Sequence, residues 1–216
     1  EQALALLLGL LRSLPTFFRA QQQREFIRRP TADLHGRTVG IVGFGGNGRR
    51  IAEVLAPFRT RILATDLFPV DRPPWVEHLW PAERLDTLLA ESDAVILCLP
   101  LNASTSGLID REQLVRMRKN SLLINVARGP VVVENDLTKA LQAGALGGAG
   151  LDVTEVEPLP EESELWNLPN VIITPHVGAQ SAHRVDATTD FACDNLRRFQ
   201  EGRPLRNLVD KRLGFP

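Results

Sequence analysis

Residues 38–48 read TVGIVGFGGNG, and this stretch decides how the rest of the chain is interpreted. A run of apolar residues is followed at once by glycines in the spacing G-x-G-x-x-G, and helical periodicity begins behind them. Such a short apolar run predicts a strand buried on both faces of a parallel sheet. In that setting Gly43 would make a tight turn, Gly45 would let the backbone approach a pyrophosphate, and Gly48 would allow close helix–strand packing. The motif therefore indicates a dinucleotide site, the alternative being a glycine-rich turn without a ligand.

The same strand pattern recurs along the chain, with helix-length segments between the strands. This alternation predicts an α/β protein with a doubly wound parallel sheet, right-handed crossovers and flanking N- and C-terminal helices. The predicted strands are Thr38–Gly43, Arg61–Asp66, Ala94–Leu99, Ser121–Val126, Gly148–Val153 and Val171–Thr174, with a short seventh strand around Val76–Leu79. The apolar stripes that predict helices are Ile51, Ala52, Val54, Leu55 and Phe58; Leu85, Leu88 and Leu89; Leu114 and Met117; and Leu137 and Leu141, followed by Gly144 as a helix cap.

The two ends of the chain are predicted to be helical. The apolar run from Ala3 to Leu11 predicts a helix over residues 1–14, stopped near Pro15 and buried against a partner surface. It lacks the flanks of a signal peptide and is too short to cross a bilayer. A long amphipathic helix is predicted over 179–202. Because the chain begins with glutamate rather than methionine, we expect it to be part of a longer protein.

Composition excludes several classes of protein. The 216 residues include 25 Lys and Arg against 26 Asp and Glu, so the net charge is -1 and a nucleic-acid-binding surface is not expected. With 44% apolar and 24% charged residues the chain is an ordinary globular sequence. Its two cysteines, Cys98 and Cys193, are too far apart to indicate a metal site or disulfide scaffold, and favour the cytoplasm.

Asp66 ends the second predicted strand, 23 residues after Gly43. In dinucleotide-binding folds an acid at this place binds the adenosine ribose, and its charge would repel a 2′-phosphate, so NAD is favoured over NADP. Two alternatives stay open. Asp66 could simply cap the turn that follows it, and methyltransferases that use S-adenosylmethionine share this much of the pattern.

Charged or polar side chains follow the last three predicted strands: Arg128, the acids Glu155 and Glu157, and His176. Ligands bind outside the carboxyl ends of strands in such sheets, so we expect these side chains to converge. A histidine can move a hydroxyl proton, a carboxylate can hold its imidazole in one tautomer, and an arginine can bind a carboxylate. With a nicotinamide, this set predicts ketone reduction or alcohol oxidation. Taken singly, each could be a surface arginine, a solvated acid or a capping histidine.

Five segments together carry a resemblance to a known family. They are GRTVGIVGFGGNGRRIA, CLPLNASTSGLID, NVARGPVVVENDL, GLDVTEVEPLP and VIITPHVGA. In order and spacing, over residues 1 to about 209, the chain resembles the D-isomer-specific 2-hydroxyacid dehydrogenases. The resemblance implies a Rossmann-type domain, NAD as cofactor, a small 2-keto or 2-hydroxy acid as substrate, a homodimer, and neither nucleic acid nor membrane as partner.

The resemblance also assigns roles to residues. It implies Arg128 as the substrate-binding arginine, His176 as the acid/base, and Glu157, which stands directly before a proline, as the partner of His176. No metal site is predicted. The cofactor contacts that we expect from the motif and the resemblance are Gly43, Gly45, Gly46, Asn47, Gly48, Asp66, Pro100, Thr105, Val126, Ala127, Arg128, Asp152 (on the carboxamide), His176, Gly178 and Ala179.

The chain departs from the family pattern in two ways. Gly46 and Asn47 stand where the family carries a basic or polar residue and then an aliphatic one, so cofactor affinity is expected to be lower than usual. Family members also have roughly a hundred further residues before the position of Glu1, which build a substrate domain. We therefore expect a connecting helix and linker (1–35), the NAD-binding domain (36–178) and a C-terminal helix and tail (179–216) that returns toward the substrate domain.

A second class of function stays open. The corepressor relatives within the family carry the same arginine, glutamate and histidine, so a non-catalytic NAD(H)-binding module is the alternative to a dehydrogenase. A formate dehydrogenase is disfavoured, because Glu157 stands where that branch resembles a glutamine.

Overall fold

The computed structural model describes residues 1–212 and contains one seven-stranded sheet. All its strand pairs are parallel, and the order β3-β2-β1-β4-β5-β6-β7 reverses direction between β1 and β4. The strands are β1 (Thr38–Val42), β2 (Arg61–Asp66), β3 (His78–Pro81), β4 (Ala94–Leu97), β5 (Leu122–Asn125), β6 (Gly148–Leu151) and β7 (Val171–Ile173). The predicted doubly wound α/β fold is confirmed, including the short seventh strand, which lies two residues later than predicted.

Within residues 1–212, seven α-helices accompany the sheet. They are α1 (Gln2–Leu11), α2 (Leu14–Gln22), α3 (Gly46–Leu55), α4 (Leu85–Glu91), α5 (Arg111–Arg116), α6 (Glu134–Gln142) and α7 (Arg184–Gln200). Gly144 has a φ of 66° two residues after α6, which is the left-handed conformation of a helix-terminating glycine.

Each face of the sheet supports its own apolar core. One face packs Val42, Val95 and Leu123 against α4, α5 and α6. The other packs Ile41 and Ile124, with their strand neighbours, against α1 and α3. Alternate side chains of each strand thus point to opposite cores, which explains why the strands are apolar throughout.

The N-terminal segment differs from the single helix predicted for residues 1–14. The first helix ends at Leu11, Ser13 takes a left-handed φ of 56°, and Pro15 lies in the first turn of α2. Proline is tolerated there because the first turn has no intrahelical partner for its missing N–H, so Pro15 begins a helix instead of stopping one. Within residues 1–212 no single helix is long and apolar enough to cross a membrane; α1 and α2 reach that length only as a pair bent by 70°.

The C-terminal helix is shorter than the predicted 179–202. Residues 178–183 form turns instead, in which the Gln180 amide donates to Val177 O and the Arg184 amide to Ser181 O. None of the α7 side chains is buried. Residues 213–216 of the predicted tail lie outside the described part of the chain.

Candidate functional site

The glycine loop joins β1 to α3 at the carboxyl edge of the sheet. Gly43 has a φ of 91°, and a Cβ there would lie 2.8 Å from Leu99 Cβ. A Cβ on Gly48 would collide with the carbonyl oxygen of Gly43. By contrast, a Cβ on Gly45 or Gly46 would meet nothing within 4 Å. The first and last glycines are therefore required by the fold itself, whereas the space beside Gly45 is left for something other than this part of the chain.

Asp66, at the end of β2, faces this loop. Its Oδ2 accepts a 2.6 Å hydrogen bond from the Phe44 amide, and its Oδ1 accepts a 2.9 Å bond from the Phe68 amide. The carboxylate thus caps its own turn, as the simpler interpretation expected, and also binds the glycine loop. Arg49 reinforces the same corner, since its guanidinium lies over the Phe44 ring at 5.1 Å and donates to Val70 O.

Cys98 lies beneath the loop, at the end of β4. Its thiol donates to Gly43 O at 3.0 Å, and a Cβ on Gly48 would approach its Sγ to 3.3 Å. Burial, assisted by the negative charge of Asp66, raises the pKa of the Cys98 thiol to about 12. The thiol therefore stays protonated and acts as a donor that pins the tight turn.

The loop after β4 is organised by Thr105. Its hydroxyl donates to Pro100 O at 2.7 Å and accepts the Asn102 amide at 2.8 Å. The single hydroxyl proton of Thr105 is thus used within the loop. Any contact of Thr105 with a ligand would have to use the remaining lone pair of its oxygen.

Arg128 follows β5 in a turn that a buried side chain holds. Asn125, only 1% exposed, accepts the Ala127 amide at its Oδ1 and donates from Nδ2 to Arg128 O. Val126 still donates to Leu97 O, so the turn begins directly after it. The Arg128 side chain is exposed and donates to Ala127 O. Sequence reasoning did not single out Asn125; the signal was a lone polar residue ending an apolar strand.

His176 and Glu157 form the central pair of the site. His176 Nδ1 lies 2.8 Å from Glu157 Oε2, and both side chains are about half exposed. The other oxygen of Glu157 accepts the Thr154 amide. Glu155 is engaged elsewhere, because its carboxylate accepts the Glu134 amide while Glu134 accepts the Glu155 amide. Of the acids that follow β6 within residues 1–212, only Glu157 therefore places its carboxylate at hydrogen-bond distance from the imidazole ring.

Asp152 lies behind His176 and is 3% exposed. Its Oδ1 accepts from the Thr174 hydroxyl at 2.6 Å and from the Val177 amide at 3.0 Å, and its Oδ2 accepts from the Gly178 amide at 2.8 Å. These bonds fix the backbone after the histidine. Ala179 is exposed at the turn beyond.

The arrangement fits a dinucleotide. The donors of the loop at the start of α3, the open space at Gly45 and the acid at the end of β2 lie where a pyrophosphate and a ribose bind in such folds. No group of three or more His, Cys, Asp or Glu side chains within residues 1–212 could hold a metal ion.

Comparison with known sequences decides the family. The model of the D-isomer specific 2-hydroxyacid dehydrogenase, NAD binding domain, matches residues 4–178. The chain belongs to this family. The resemblance inferred from the sequence motifs is confirmed, and the alternative of a non-catalytic NAD(H)-binding module is not favoured.

Individual relatives agree with this assignment. The chain is 39% identical over 222 residues to a glyoxylate reductase of Pyrococcus horikoshii, covering 98% of the chain and 65% of that protein. A D-isomer specific 2-hydroxyacid dehydrogenase of Xanthobacter autotrophicus Py2, solved with NADPH and MES, superposes with a TM-score of 0.89 at 36% identity, covering 99% of the chain and 67% of its own. The NADPH-dependent glyoxylate/hydroxypyruvate reductase of Sinorhizobium meliloti, solved with NADP and sulfate, gives 0.90 at 32% identity, covering 100% and 68%.

The likeness does not extend over the full length of these relatives. The chain spans 65% of the length of the Pyrococcus horikoshii reductase and 53% of that of a glyoxylate reductase of Thermococcus kodakarensis. The family model that matches the chain is that of the NAD-binding domain.

Proposed function

We propose that the chain is the cofactor-binding part of a reductase that transfers hydride from NADH to a small 2-keto acid of the glyoxylate or hydroxypyruvate type. The observation that carries the proposal is the contact between His176 and Glu157 at the same sheet edge as the glycine loop. If Glu157 were only a solvated acid and His176 only a helix-capping residue, no contact between their side chains would be expected at this edge. The names of the similar reductases support the substrate class.

The pair fixes which nitrogen of His176 handles the proton. A carboxylate can only accept, so Nδ1 carries a hydrogen toward Glu157 and Nε2 is left for the substrate. In reduction, the imidazolium donates its Nε2 proton to the carbonyl oxygen; in oxidation, the neutral ring accepts the hydroxyl proton at Nε2. When bound, the nicotinamide supplies or takes up the hydride.

Arg128 is proposed to bind the substrate carboxylate. It is exposed at the end of β5, with one hydrogen bond to Ala127 O. None of the ion pairs within residues 1–212 involves Arg128, so its guanidinium can form a bidentate pair with a substrate carboxylate. Asn125 holds the turn that presents it.

We propose the division of the chain expected from the family. Residues 1–35 connect, residues 36–178 bind the nucleotide, and the segment from 179 onward, whose α7 buries no side chain, covers a substrate domain that supplies the other wall of the cleft. The further cofactor contacts at Gly43, Gly45, Gly46, Asn47, Gly48, Pro100, Thr105, Val126, Ala127, Asp152, Gly178 and Ala179 belong to the same proposal.

Two properties of the whole molecule are proposed alongside. We expect a homodimer, as argued below from α2. We also place the chain in the cytoplasm, because Cys98 and Cys193 are both free thiols. Fractionation of the source cells would test the location.

Turnover by the 216-residue chain tests the proposed role of the second domain. Positioning a keto acid against the nicotinamide supplies several kcal/mol of catalysis, and here one wall of the cleft would be missing. We therefore expect NADH binding with little oxidation of NADH at 340 nm when glyoxylate, hydroxypyruvate or pyruvate is supplied at millimolar concentration. Any residual rate should disappear in His176→Ala. A kcat of about 1–1,000 per second would contradict the proposed division of labour; a residual rate that survives His176→Ala would contradict the role of the histidine.

A further inference from the structure

The backbone of His176 has a sparsely populated conformation of the kind that occurs at active sites. Its φ of 53° lies in the left-handed region, where a residue with a side chain is disfavoured. Its amide donates to Asp152 O at 2.8 Å and to Thr174 O at 2.9 Å. The direction of the imidazole is thus set by a backbone that its neighbours must hold.

A chain of side-chain hydrogen bonds leads from α1 to this backbone. Gln2 Nε2 donates to the Thr174 hydroxyl at 2.8 Å, which donates to Asp152 Oδ1 at 2.6 Å. Asp152 in turn accepts the amides of Val177 and Gly178. Gln2 and Thr174 are 172 positions apart in the sequence and meet only because α1 lies on the last strands of the sheet.

Only one arrangement of hydrogens satisfies this chain. The carboxylate of Asp152 accepts, so the single proton of the Thr174 hydroxyl must be donated to it. The hydroxyl oxygen can then only accept from its other neighbour, so Gln2 must present its amide NH2 group. Gly178 closes the contact from the other side, since a Cβ there would lie 2.8 Å from Asp152 Oδ2 and 3.6 Å from Gln2 Cβ.

We propose that Gln2 and Thr174 are positioning residues that hold the histidine loop through Asp152 and so keep the His176 ring against Glu157. The inference rests on the proposed role of His176. It makes the first helix a support of the site as well as a cover of the sheet. A change in the tilt of α1 would therefore alter the position of the His176 loop through three successive hydrogen bonds.

The chain offers matched variants for a test. Thr174→Val removes the hydroxyl at nearly constant shape, and Thr174→Ser keeps it. Gln2→Leu removes the amide from a half-buried side chain. Thr188→Val is the control, because the Thr188 hydroxyl makes only an exposed bond to Arg184 O on α7.

The readout is nuclear magnetic resonance of the 15N-labelled 216-residue chain. Hydrogen exchange of the Val177 and Gly178 amides reports the loop, and two-bond imidazole spectra, assigned by loss of the signal in His176→Gln, report which ring nitrogen carries the proton. We expect exchange of both amides to accelerate at least about tenfold in Thr174→Val, since a bond to a charged group is lost from the carboxylate that holds them. The Nδ1–H form should lose population in parallel. Gln2→Leu should shift both readouts in the same direction, and Thr174→Ser and Thr188→Val should leave them within about twofold of wild type.

The outcomes separate this inference from the proposed function. Wild-type exchange and tautomer in both Thr174→Val and Gln2→Leu, or equal loss in Thr174→Ser and Thr174→Val, would overturn the inference. If melting shows that Thr174→Val does not fold, Gln2→Leu alone decides. No turnover enters these measurements, so a reductase proposal that fails in the activity assay leaves the amide and tautomer results standing.

Discussion

At the residue scale, Asp66 connects the glycine loop with the turn after β2. Its two oxygens accept the Phe44 and Phe68 amides, and lone pairs remain for the hydroxyls of a ribose. A 2′-phosphate at that place would meet the carboxylate charge. Similar structures hold NADPH or NADP, and we propose that in this chain the charge of Asp66 selects NADH.

We expect the chain to bind NADH more tightly than NADPH because of this charge. Asp66→Ser should narrow the difference between the two binding free energies by roughly 1–2 kcal/mol, the scale of a hydrogen bond to a charged group. Calorimetric titration of wild type and variant with both nucleotides measures it, with the melting temperature as the control for folding. Equal affinities of the wild type for the two nucleotides would disprove the role.

The two cysteines should differ in reactivity. With a pKa of about 12, roughly one Cys98 thiol in ten thousand is ionised at pH 8, and only the thiolate is alkylated. Cys193 is exposed on α7. Iodoacetamide at pH 8 should therefore modify Cys193 alone in the native chain and both thiols in denaturant, as peptide mass spectrometry would measure. Equal labelling of the two native thiols would show that Cys98 is not held beneath the loop.

The residue scale is also where sequence reasoning reached its limit. The glycines and Asp66 were predicted from the spacing of the glycine motif, and the roles of Glu157 and His176 from the resemblance to the family. Gln2 and Thr174 were not, because a contact across 172 positions leaves no local pattern. The only sequence feature that marks Asn125 is that it is a single polar residue in an apolar run.

At the scale of elements, the strand predictions erred in a consistent direction. Predicted strands such as Ala94–Leu99 and Gly148–Val153 run two residues past the observed ends of β4 and β6. Their apolar pattern continues beyond the paired residues because Val153 is buried and Cys98 is partly buried, although the backbone has begun to turn. At the edge where the site forms, side chains thus stay at least partly buried for one or two residues beyond the last paired residue of the strand. The break between α1 and α2 at Ser13 could not be predicted. A left-handed residue is usually indicated by a glycine in the sequence, and here the residue is a serine.

The first two helices change the basis of the expected dimer. Leu6, Leu7 and Leu11 of α1 are buried in the core of the chain itself, so they need no second copy. Within the N-terminal segment, the uncovered apolar surface lies on α2 and just beyond it, where Phe18 is 57% exposed and Phe26 92% exposed. Such a surface favours contact with a partner.

We expect a homodimer through this surface. Phe26→Ser should shift the chain toward monomer, because it removes the most exposed aromatic side chain of the patch. Melting should be unchanged, since a side chain that is 92% exposed contributes little to the core. Light scattering at tens of micromolar measures the mass. A monomeric wild type would count against the dimer; a dimeric Phe26→Ser would place its interface elsewhere.

At the scale of the whole molecule, the sheet brings distant residues to one edge. Asp66 ends β2, and the glycine loop, the Arg128 turn and the pair of Glu157 and His176 follow the carboxyl ends of other parallel strands. The strand order reverses between β1 and β4, and ligands bind at such a reversal. This convergence could be predicted from alternating strands and helices, because right-handed parallel crossovers leave few other topologies. The hydrogen bonds between these residues could not be predicted, because they depend on turns whose conformation has no recognisable sequence pattern.

The central claim is that the edge beside Gly45 receives the pyrophosphate of NADH, and a single substitution tests it. Gly45 has a φ of -72°, and a Cβ there meets nothing within 4 Å, so Gly45→Val is compatible with the folded chain. Its side chain would fill the space that the pyrophosphate needs. The measurement is calorimetric titration of NADH into the wild type and into Gly45→Val, with melting followed for both. The account predicts saturable binding at one site per chain in the wild type and loss of at least about tenfold in affinity, or about 1.4 kcal/mol, in a variant that melts as the wild type does. Unchanged NADH binding by a folded Gly45→Val would contradict it.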